Sequence, residues 1–300
     1  MKAILAAFLA ATCVAAAPAF AAPAAAAAAP AFASERIGVT VRGSGPDVVL
    51  IPGLSSSPEV WDGTIAALPG YRYHVVHVAG FAGKASGANG SGEVVAPVAE
   101  EIARYIKEAK LDRPAIVGHS LGGAWAMMVA SRHPALASKV MVIDMLPFMG
   151  AMFGGPGATA DSIRPVAEQI RTGIATAKPE ASKAAIEGTI ATMVKTEKLR
   201  PLAVAHSVKS DPKVSGQAMY ELILQDLRPA LKEIKVPLSV LWVTPPGAPV
   251  TEAQMGQFYT MSYANAPQAK LINVPDAYHF IMWDAPEAFQ RELKAFLAGS

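Results

Sequence analysis

The stretch VGHSLGG, at residues 117–123, constrains the fold of this chain most strongly. It joins an apolar stretch, RPAIVGHS, to the helix-like stretch LGGAWAMMVASRH, which Pro134 ends. The spacing is Gly-x-Ser-x-Gly, with Ser120 between Gly118 and Gly122. Flanking glycines let neighbouring backbone pass through a tight turn without a Cβ clash. The stretch therefore predicts a strand, a sharp turn and a helix, with the Ser120 hydroxyl presented above a sheet.

Strands and helices alternate on both sides of this turn. The apolar stretches DVVLIPG, YHVVHVAG and KVMVID, which begin at Asp47, Tyr73 and Lys139, are typical of short buried strands. Residues 93–111 place apolar side chains at helical spacing, namely Val95, Val98, Ile102, Tyr105 and Ile106. The alternation predicts an α/β fold whose mostly parallel central sheet is covered by helices on both faces.

Residues 147–235 interrupt this alternation with helical patterns. Apolar residues at helical spacing indicate two helices near residues 163–174 and 186–193, and Ser210-Asp211-Pro212 predicts the capped start of a third. The strands VPLSVLWV and AKLINVP and the amphipathic helix PEAFQRELKAFL then follow. The predicted organisation is a first core part at 34–146, a helical cap at 147–235 and a second core part at 236–300.

Residues 1–33 have a different composition. Lys2 precedes the apolar run AILAAFLAATCVAAA, and Ala-x-Ala cleavage patterns occur at 19–21 and 31–33. This order predicts a secretory signal peptide followed by an Ala/Pro spacer, with an N-terminal membrane anchor as the alternative. The one cysteine, Cys13, lies in this segment, so the mature chain is expected to have no disulfide and no thiol nucleophile. We expect export to a bacterial periplasm or medium, without stable membrane insertion once the signal is removed.

Charge and motif content exclude several classes of partner. The formal net charge is +2 without a basic or acidic stripe, which gives no indication of nucleic-acid binding. The histidines and acids have no spacing typical of a metal site. The stretch GANGSG, at residues 87–92, follows no strand with phosphate-loop spacing and is interpreted as a flexible loop. The sequence therefore predicts neither a metal nor another cofactor.

Four stretches resemble an α/β-hydrolase of the capped, single-domain serine hydrolase or esterase type. They are VVLIPGLSSSPEVWD, GFAGKAS, VGHSLGGAWAMMVA and AYHFIMWDAPEAFQRELKAFL, in the order of that family, and the resemblance covers residues 37–298. The helical cap is expected to be inserted after the sixth strand of the sheet. The resemblance also implies that Ser120 is the nucleophile and that His279, in the loop before the final helix, is the general base.

The resemblance further implies two backbone amides that stabilise the oxyanion of acyl transfer. One is the amide of Leu121, which follows the nucleophile. The other is that of Leu54, in Pro52-Gly53-Leu54, where the family pattern is His-Gly-x; Ser55 is an alternative donor. The hydroxyls of the three consecutive serines at 55–57 either add donors or solvate this loop, and we favour solvation.

The position of the catalytic acid departs from the common family pattern. That acid usually follows the strand after the cap, but residues 244–249 of this chain hold three prolines and no carboxylate. A known variant places the acid one strand earlier, where Asp144 ends KVMVID. Asp144 is therefore the predicted acid. Glu252, the first carboxylate after the prolines, and a Ser–His dyad without an acid remain alternatives.

Methionine and phenylalanine side chains at the cap entry and after the histidine are candidates for an apolar pocket, and ordinary core packing is the alternative. They are Met145, Phe148, Met149 and Met282. The expected function is that of an exported serine hydrolase, a carboxylesterase that cleaves small to medium apolar esters through an acyl-serine intermediate. The alternatives are cleavage of amide or C–C bonds, perhydrolysis, or a non-catalytic binding protein. The expected partner is a small-molecule ester, and the oligomeric state is left open.

Overall fold

Seven strands form one sheet within residues 32–299, the residues that the computed structural model describes. Their spatial order is β1-β3-β2-β4-β5-β6-β7, in which β1 is antiparallel to β3 and each other neighbouring pair is parallel. The predicted mostly parallel sheet is confirmed. The strands are β1 (Ile37–Gly43), β2 (Asp47–Ile51), β3 (Arg72–Val78), β4 (Ala115–His119), β5 (Lys139–Ile143), β6 (Leu238–Trp242) and β7 (Ala269–Asn273).

Strand β1 is absent from the sequence-based prediction. It pairs with β3 along its length, from Ile37 opposite Val78 to Gly43 opposite Arg72. Only Ile37 is buried within β1, and Val41 is 51% exposed. An edge strand that buries so little lacks the continuous apolar run that marks the central strands.

Helices cover both faces of the sheet, as the alternation predicts. Helices α2, α3 and α9 pack on one face, and α1, α10 and α11 pack on the other. The apolar positions predicted for the helix near residues 93–111 are all buried in α2. The helices are α1 (Asp62–Ala67), α2 (Val95–Glu108), α3 (Leu121–Arg132), α4 (Ala151–Gly154), α5 (Ala160–Thr176), α6 (Pro179–Met193), α7 (Arg200–Val208), α8 (Pro212–Leu224), α9 (Glu252–Ser262), α10 (Ile281–Asp284) and α11 (Pro286–Ala298).

Successive side chains of the central strands supply the two cores. Val49 and Ile51 of β2 face the α2–α3 layer, whereas Val48 and Leu50 face the α1–α11 layer. All four are at most 1% exposed. A parallel strand buried on both faces is apolar at every position, which explains the uninterrupted VVLI of the sequence.

Five helices, α4–α8, form the cap between β5 and β6. Asp211 accepts hydrogen bonds from Lys213 N (2.8 Å) and Val214 N (3.3 Å), so the predicted capped start of a helix at Asp211-Pro212 is confirmed. The last predicted cap residues instead form a 3₁₀ turn, Arg228–Glu233, whose Leu231 is buried in the core that contains α3. The insertion follows the fifth strand of the described residues, β5, and not a sixth as predicted, because only one strand, β1, precedes the four apolar strands recognised in the sequence before the cap.

The N-terminal prediction lies mostly outside the described residues. Only Phe32 and Ala33 of the proposed Ala/Pro spacer are described, and both pack on α2. The Phe32 ring lies 5.0 Å from that of Tyr105, and Ala33 O accepts a hydrogen bond from Arg104 Nη2 (2.8 Å). Phe32 and Ala33 therefore pack with the first core part, which the sequence predicts to begin at residue 34. Within residues 32–299, no helix combines the length and apolarity needed to cross a membrane.

A chain of polar side chains lies at the amino edge of the sheet. Arg72 Nη2 donates to Asp47 Oδ2 (2.8 Å), His74 Nε2 donates to Asp47 Oδ1 (2.8 Å), and Tyr105 OH donates to His74 Nδ1 (2.6 Å). The hydrogen bond from Arg72 lowers the pKa of the Asp47 carboxyl, and burial lowers the pKa of His74. Asp47 is therefore charged and His74 neutral at pH 7.

We predict that Asp47→Asn lowers the free energy of unfolding at pH 7 by about 2 kcal/mol, a usual value for hydrogen bonds to a charged group. Because the folded pKa of Asp47 lies below its unfolded value of about 4, the contribution is present above pH 4 and is lost as the pH falls through the folded value. His74 adds a separate loss of stability below about pH 6.5, where the unfolded chain binds a proton that buried His74 does not.

Urea unfolding at pH 7 and pH 3 measures the difference in unfolding free energy between the wild type and Asp47→Asn. The matched control is Asp62→Asn, since Asp62 pairs with Arg42 at the surface and both side chains are at least 40% exposed. Its effect should stay within about 0.5 kcal/mol at both pH values. An Asp47→Asn deficit of equal size at pH 3 and pH 7 would contradict the prediction.

Candidate active site

Ser120 occupies a strained turn between β4 and α3. Its backbone has φ 54° and ψ −125°, a region that residues with side chains rarely adopt. A Cβ at Gly118 would lie 2.1 Å from Gly122 O, and a Cβ at Gly122 would lie 2.2 Å from Ile51 O. Both positions of the Gly-x-Ser-x-Gly motif therefore require glycine because the backbones are in contact.

Hydrogen bonds attach this turn to the sheet and to the helix. Ser120 N donates to Ile143 O at the end of β5 (2.9 Å), and Gly123 N donates to Ser120 O (2.7 Å). Ser120 is half-buried and directly precedes the first turn of α3. The amino end of a helix stabilises negative charge, so developing negative charge beside Ser120 is favoured there.

Asp144 and His279 are in direct contact. Asp144 follows β5, with φ 50°, and His279 lies in the loop between β7 and α10. His279 Nδ1 donates to Asp144 Oδ2 at 2.7 Å. The bond orients the imidazole and leaves Nε2 as the nitrogen able to accept a proton.

Two further donors bind the other oxygen of Asp144. Val243 N lies 3.3 Å and Tyr259 OH 3.0 Å from Asp144 Oδ1. With His279, the carboxylate has three donors, which offsets the cost of removing a charge from water. Val243 directly precedes the proline-rich turn, so this part of the chain contributes an amide to the acid instead of the acid itself.

Glu252 does not take part in this arrangement. It is exposed in the first turn of α9, which the Thr251–Gln254 capping box begins. The carboxylate that contacts His279 is Asp144, so the geometry disfavours both the Glu252 alternative and the dyad without an acid. The catalytic role of Asp144 remains a prediction.

His119 connects the nucleophile turn to the histidine loop. Its Nε2 donates to His279 O (3.0 Å), and the centroids of the two rings are 4.6 Å apart. Burial, together with the neighbouring His279, lowers the pKa of His119 well below its ordinary value, so this ring is neutral. Within the described residues Ser120 Oγ and His279 share no hydrogen bond, and such bonds often form only when substrate is bound.

The loop that contains Leu54 passes beside Ser120. A Cβ at Gly53 would lie 3.0 Å from Ser120 Cβ. Neither Leu54 N nor Leu121 N, nor Ser55 N, donates to an acceptor within residues 32–299. These amides are therefore available to an oxyanion, and their role as its donors remains a prediction.

The preference for solvation by Ser55, Ser56 and Ser57 is wrong. All three are buried, at most 9% exposed, and their hydroxyls are hydrogen-bonded within the protein. The partners of Ser55 and Ser57 are cap residues that lie 160 and 149 positions later in the chain. No local sequence pattern predicts such contacts.

The four candidate pocket residues lie in core packing. Met145, Phe148 and Met282 are at most 6% exposed, and Met149 is half-buried between the cap core and the α2–α3 layer. This burial agrees with the packing alternative, and a substrate contact by any of them remains a prediction.

Tyr259 and Asp284 contribute to the site, but no pattern in the sequence indicates this. Tyr259 on α9 and Tyr263, which directly follows α9, are spaced as ordinary core positions, yet of these two only Tyr259 is hydrogen-bonded to Asp144. Asp284 accepts hydrogen bonds from Tyr278 N (3.1 Å), Lys195 N (3.0 Å) and Thr196 N (2.8 Å). It therefore joins the histidine loop to the cap.

Within residues 32–299, no group of three or more His, Cys, Asp or Glu side chains is arranged to hold a metal ion.

The chain belongs to the alpha/beta hydrolase family, which it matches over residues 48–292. This membership confirms the resemblance seen in the sequence and agrees with the expected hydrolase class.

Known proteins of this fold include several esterases. The esterase EaEST from Exiguobacterium antarcticum superposes with a TM-score of 0.72 at 21% identity, covering 88% of this chain and 96% of that one. The enol-lactonase from Burkholderia xenovorans LB400 gives 0.69 at 19% identity, covering 88% and 96%. At these identities the likeness shows the fold alone.

A curated relative is the pimeloyl-[acyl-carrier protein] methyl ester esterase of Aeromonas hydrophila. It is 34% identical over 117 residues, which are 38% of this chain and 44% of that protein. The chain spans less than half the length of the curated relatives that it matches.

We predict that Tyr259→Phe lowers the kcat/KM of hydrolysis about tenfold, the equivalent of about 1.4 kcal/mol, because Asp144 loses a donor. The matched control is Tyr263→Phe. Tyr263 is also buried, and its hydroxyl donates to Met145 O (2.6 Å) instead of to the acid. Both variants should lose about 1 kcal/mol of unfolding free energy, whereas only Tyr259→Phe should lose activity. Equal kinetic losses in the two variants would rule out a specific effect on Asp144.

Proposed function

We propose that this protein is a serine carboxylesterase that cleaves small to medium apolar esters through an acyl-serine intermediate. The observation that carries the proposal is the 2.7 Å contact between His279 Nδ1 and Asp144 Oδ2, which lies next to the strained turn of Ser120. An acid, an imidazole that the acid orients and a half-buried serine at the carboxyl edge of the sheet together form the arrangement that activates a serine hydroxyl.

The residues would act in two half-reactions. His279 Nε2 takes the proton of Ser120 Oγ as the oxygen attacks the ester carbonyl carbon, and the carbonyl oxygen becomes an oxyanion bound by Leu54 N and Leu121 N. Collapse of this intermediate breaks the bond to the alkoxide, which receives the proton from His279. Water then attacks the acyl-serine by the same route, releasing the carboxylic acid and restoring Ser120. Asp144 stabilises the imidazolium in both halves.

Support for an ester substrate comes from the comparisons and from the cap. A relative named as a methyl ester esterase aligns with this chain, and an esterase shares its fold. The cap entry presents Met152 and Phe153, which are 50% and 45% exposed, close in sequence to the candidate pocket residues. Exposed apolar side chains near the start of the cap are more compatible with an apolar ester than with a charged one.

We also propose that the enzyme is exported to the bacterial periplasm or medium. Support comes from the basic residue, the apolar run and the Ala-x-Ala patterns within residues 1–33. Immunoblots of cell fractions, with mass spectrometry of the N-terminus, test this location.

We predict that Ser120→Ala abolishes turnover of p-nitrophenyl esters of graded acyl length, because no other group replaces the nucleophile. The same change should abolish covalent labelling by a fluorophosphonate. Strong labelling of Ser120→Ala would place the nucleophile elsewhere. A wild-type protein that neither labels nor turns over any ester would favour the non-catalytic binding protein.

We predict that Asp144→Asn lowers kcat by at least about 10³-fold, since an amide neither fixes the tautomer of His279 nor stabilises its imidazolium. Glu252→Gln, the matched control on an exposed helix turn, should leave kcat within about twofold. Steady-state kinetics on one ester measures both. The opposite pattern would assign the acid to Glu252.

A further inference from the structure

The loop beside the nucleophile is hydrogen-bonded to the cap through buried side chains. We call residues 53–59 the oxyanion loop. Ser55 Oγ lies 2.8 Å from Ser215 Oγ on α8, and Ser57 Oγ lies 3.1 Å from His206 Nε2 on α7. All four residues are at most 9% exposed. The oxyanion loop therefore has two buried polar attachments to two different cap helices.

Ser210, between α7 and α8, strengthens this attachment. Its hydroxyl lies 3.4 Å from Ser55 O and 2.9 Å from His206 O, and it accepts a hydrogen bond from Ala82 N (2.8 Å). One hydroxyl thus contacts the oxyanion loop, the cap and the loop after β3. The three elements are fixed relative to one another at this point.

His206 contacts a serine and a glutamate, the residue types of a catalytic triad, but the geometry of these contacts is not that of a triad. Its Nε2 lies 3.1 Å from Ser57 Oγ and also 2.8 Å from Glu59 Oε2, while its buried Nδ1 has no hydrogen-bond partner within residues 32–299. A serine–histidine–acid relay needs the two ring nitrogens to contact the serine and the acid separately. His206 therefore connects the cap to the oxyanion loop and does not activate Ser57.

The backbone of the oxyanion loop needs such support. Ser55 has φ 53°, in the left-handed region that residues with side chains adopt at a cost. The conformation sets the direction of the Leu54 and Ser55 amides, which donate to no acceptor within residues 32–299. Within residues 32–299, Ser55 is hydrogen-bonded through its Oγ to Ser215 and through its carbonyl oxygen to Ser210. Within the loop itself, Ser56 N donates to Gly53 O (3.2 Å).

We propose that cap helices α7 and α8 set the geometry of the oxyanion hole, with Ser215 and His206 as positioning residues. The inference rests on the proposed function. When the cap is seated, the Ser55–Ser215 and Ser57–His206 bonds hold the Leu54 amide where the oxyanion forms. Loss of either bond lets Ser55 relax toward an ordinary backbone conformation and turns the amide away. The consequence is a loss of transition-state binding rather than of substrate binding.

The experiment compares Ser215→Ala and Ser55→Ala with the matched control Ser86→Ala. Ser86 Oγ donates to Asp211 Oδ2 at 2.6 Å, so the control also removes a hydrogen bond between the core and the start of α8, but one outside the oxyanion loop. We expect kcat to fall about tenfold in both test variants, with KM changed less than twofold and Ser86→Ala near wild type. The double variant should be no worse than either single variant, because both remove one bond.

Two further measurements separate positioning from general destabilisation. Affinity for a trifluoromethyl ketone, whose adduct with Ser120 carries an oxyanion, should fall in parallel with kcat, whereas the Tm of the test variants and of Ser86→Ala should change alike. Ser55→Gly removes the hydroxyl but tolerates φ 53°, so it should fold without strain and still lose kcat. His206→Leu should also lose kcat, with partial rescue by His206→Gln, which keeps a donor.

The outcomes also distinguish this inference from the proposed function. Fluorophosphonate labelling of wild-type Ser120, combined with wild-type kcat in Ser215→Ala and Ser55→Ala, would overturn the inference and leave the esterase proposal intact. Loss of kcat in Ser86→Ala equal to that in Ser215→Ala would also overturn it, since any bond to the cap would then have the same effect. Absence of labelling in the wild type would overturn both.

Discussion

The pairing of β4 with β5 is the interaction on which the rest of the site depends. It places His119 opposite Ile143, so the residues that follow, Ser120 and Asp144, leave the same edge of the sheet together. Ser120 N also bonds to Ile143 O, and both Ser120 and Asp144 have positive φ. Such conformations cost on the order of 1–3 kcal/mol each and persist only where the surroundings hold them. The buried parallel pair provides that support, and one register therefore positions both Ser120 and Asp144, the proposed nucleophile and acid.

The position of Asp144 directly after β5 determines which elements surround its carboxylate. The end of β6 contributes the Val243 amide, and α9 contributes the Tyr259 hydroxyl, to the carboxylate that contacts His279. Burial and the neighbouring Asp144 raise the pKa of Tyr259 well above its ordinary value, so the hydroxyl remains a neutral donor at every physiological pH. A proline-rich turn is compatible with this arrangement because the amide that Asp144 needs belongs to Val243, before the first proline.

The sequence predicts what depends on local pattern and fails where the contacts are distant in the chain. The central strands, α2 and the capped start of α8 follow from periodicity and capping residues, and the glycines around Ser120 follow from a turn that tolerates no Cβ. Edge strand β1 buries too little to give a clear pattern. The buried hydroxyls of Ser55 and Ser57 depend on partners in α7 and α8, and the contact of Tyr259 with Asp144 joins residues 115 apart. The periodicity of apolar residues cannot show which of Tyr259 and Tyr263 is hydrogen-bonded to Asp144.

The site combines residues held by the central sheet with loops that are also hydrogen-bonded to the cap. Ser120 and Asp144 are attached to the central strands β4 and β5, which are buried on both faces of the sheet. The oxyanion loop and the histidine loop are attached to the cap as well, the first through Ser55 and Ser57 and the second through Asp284, which binds Tyr278 N and two amides of the α6–α7 connection. A displacement of the cap would therefore alter the oxyanion donors and the imidazole together, while the nucleophile and the acid stayed in register. If the proposed roles hold, catalysis in such an arrangement depends on how the cap is seated, although the proposed mechanism assigns no bond-breaking role to a described residue of the cap.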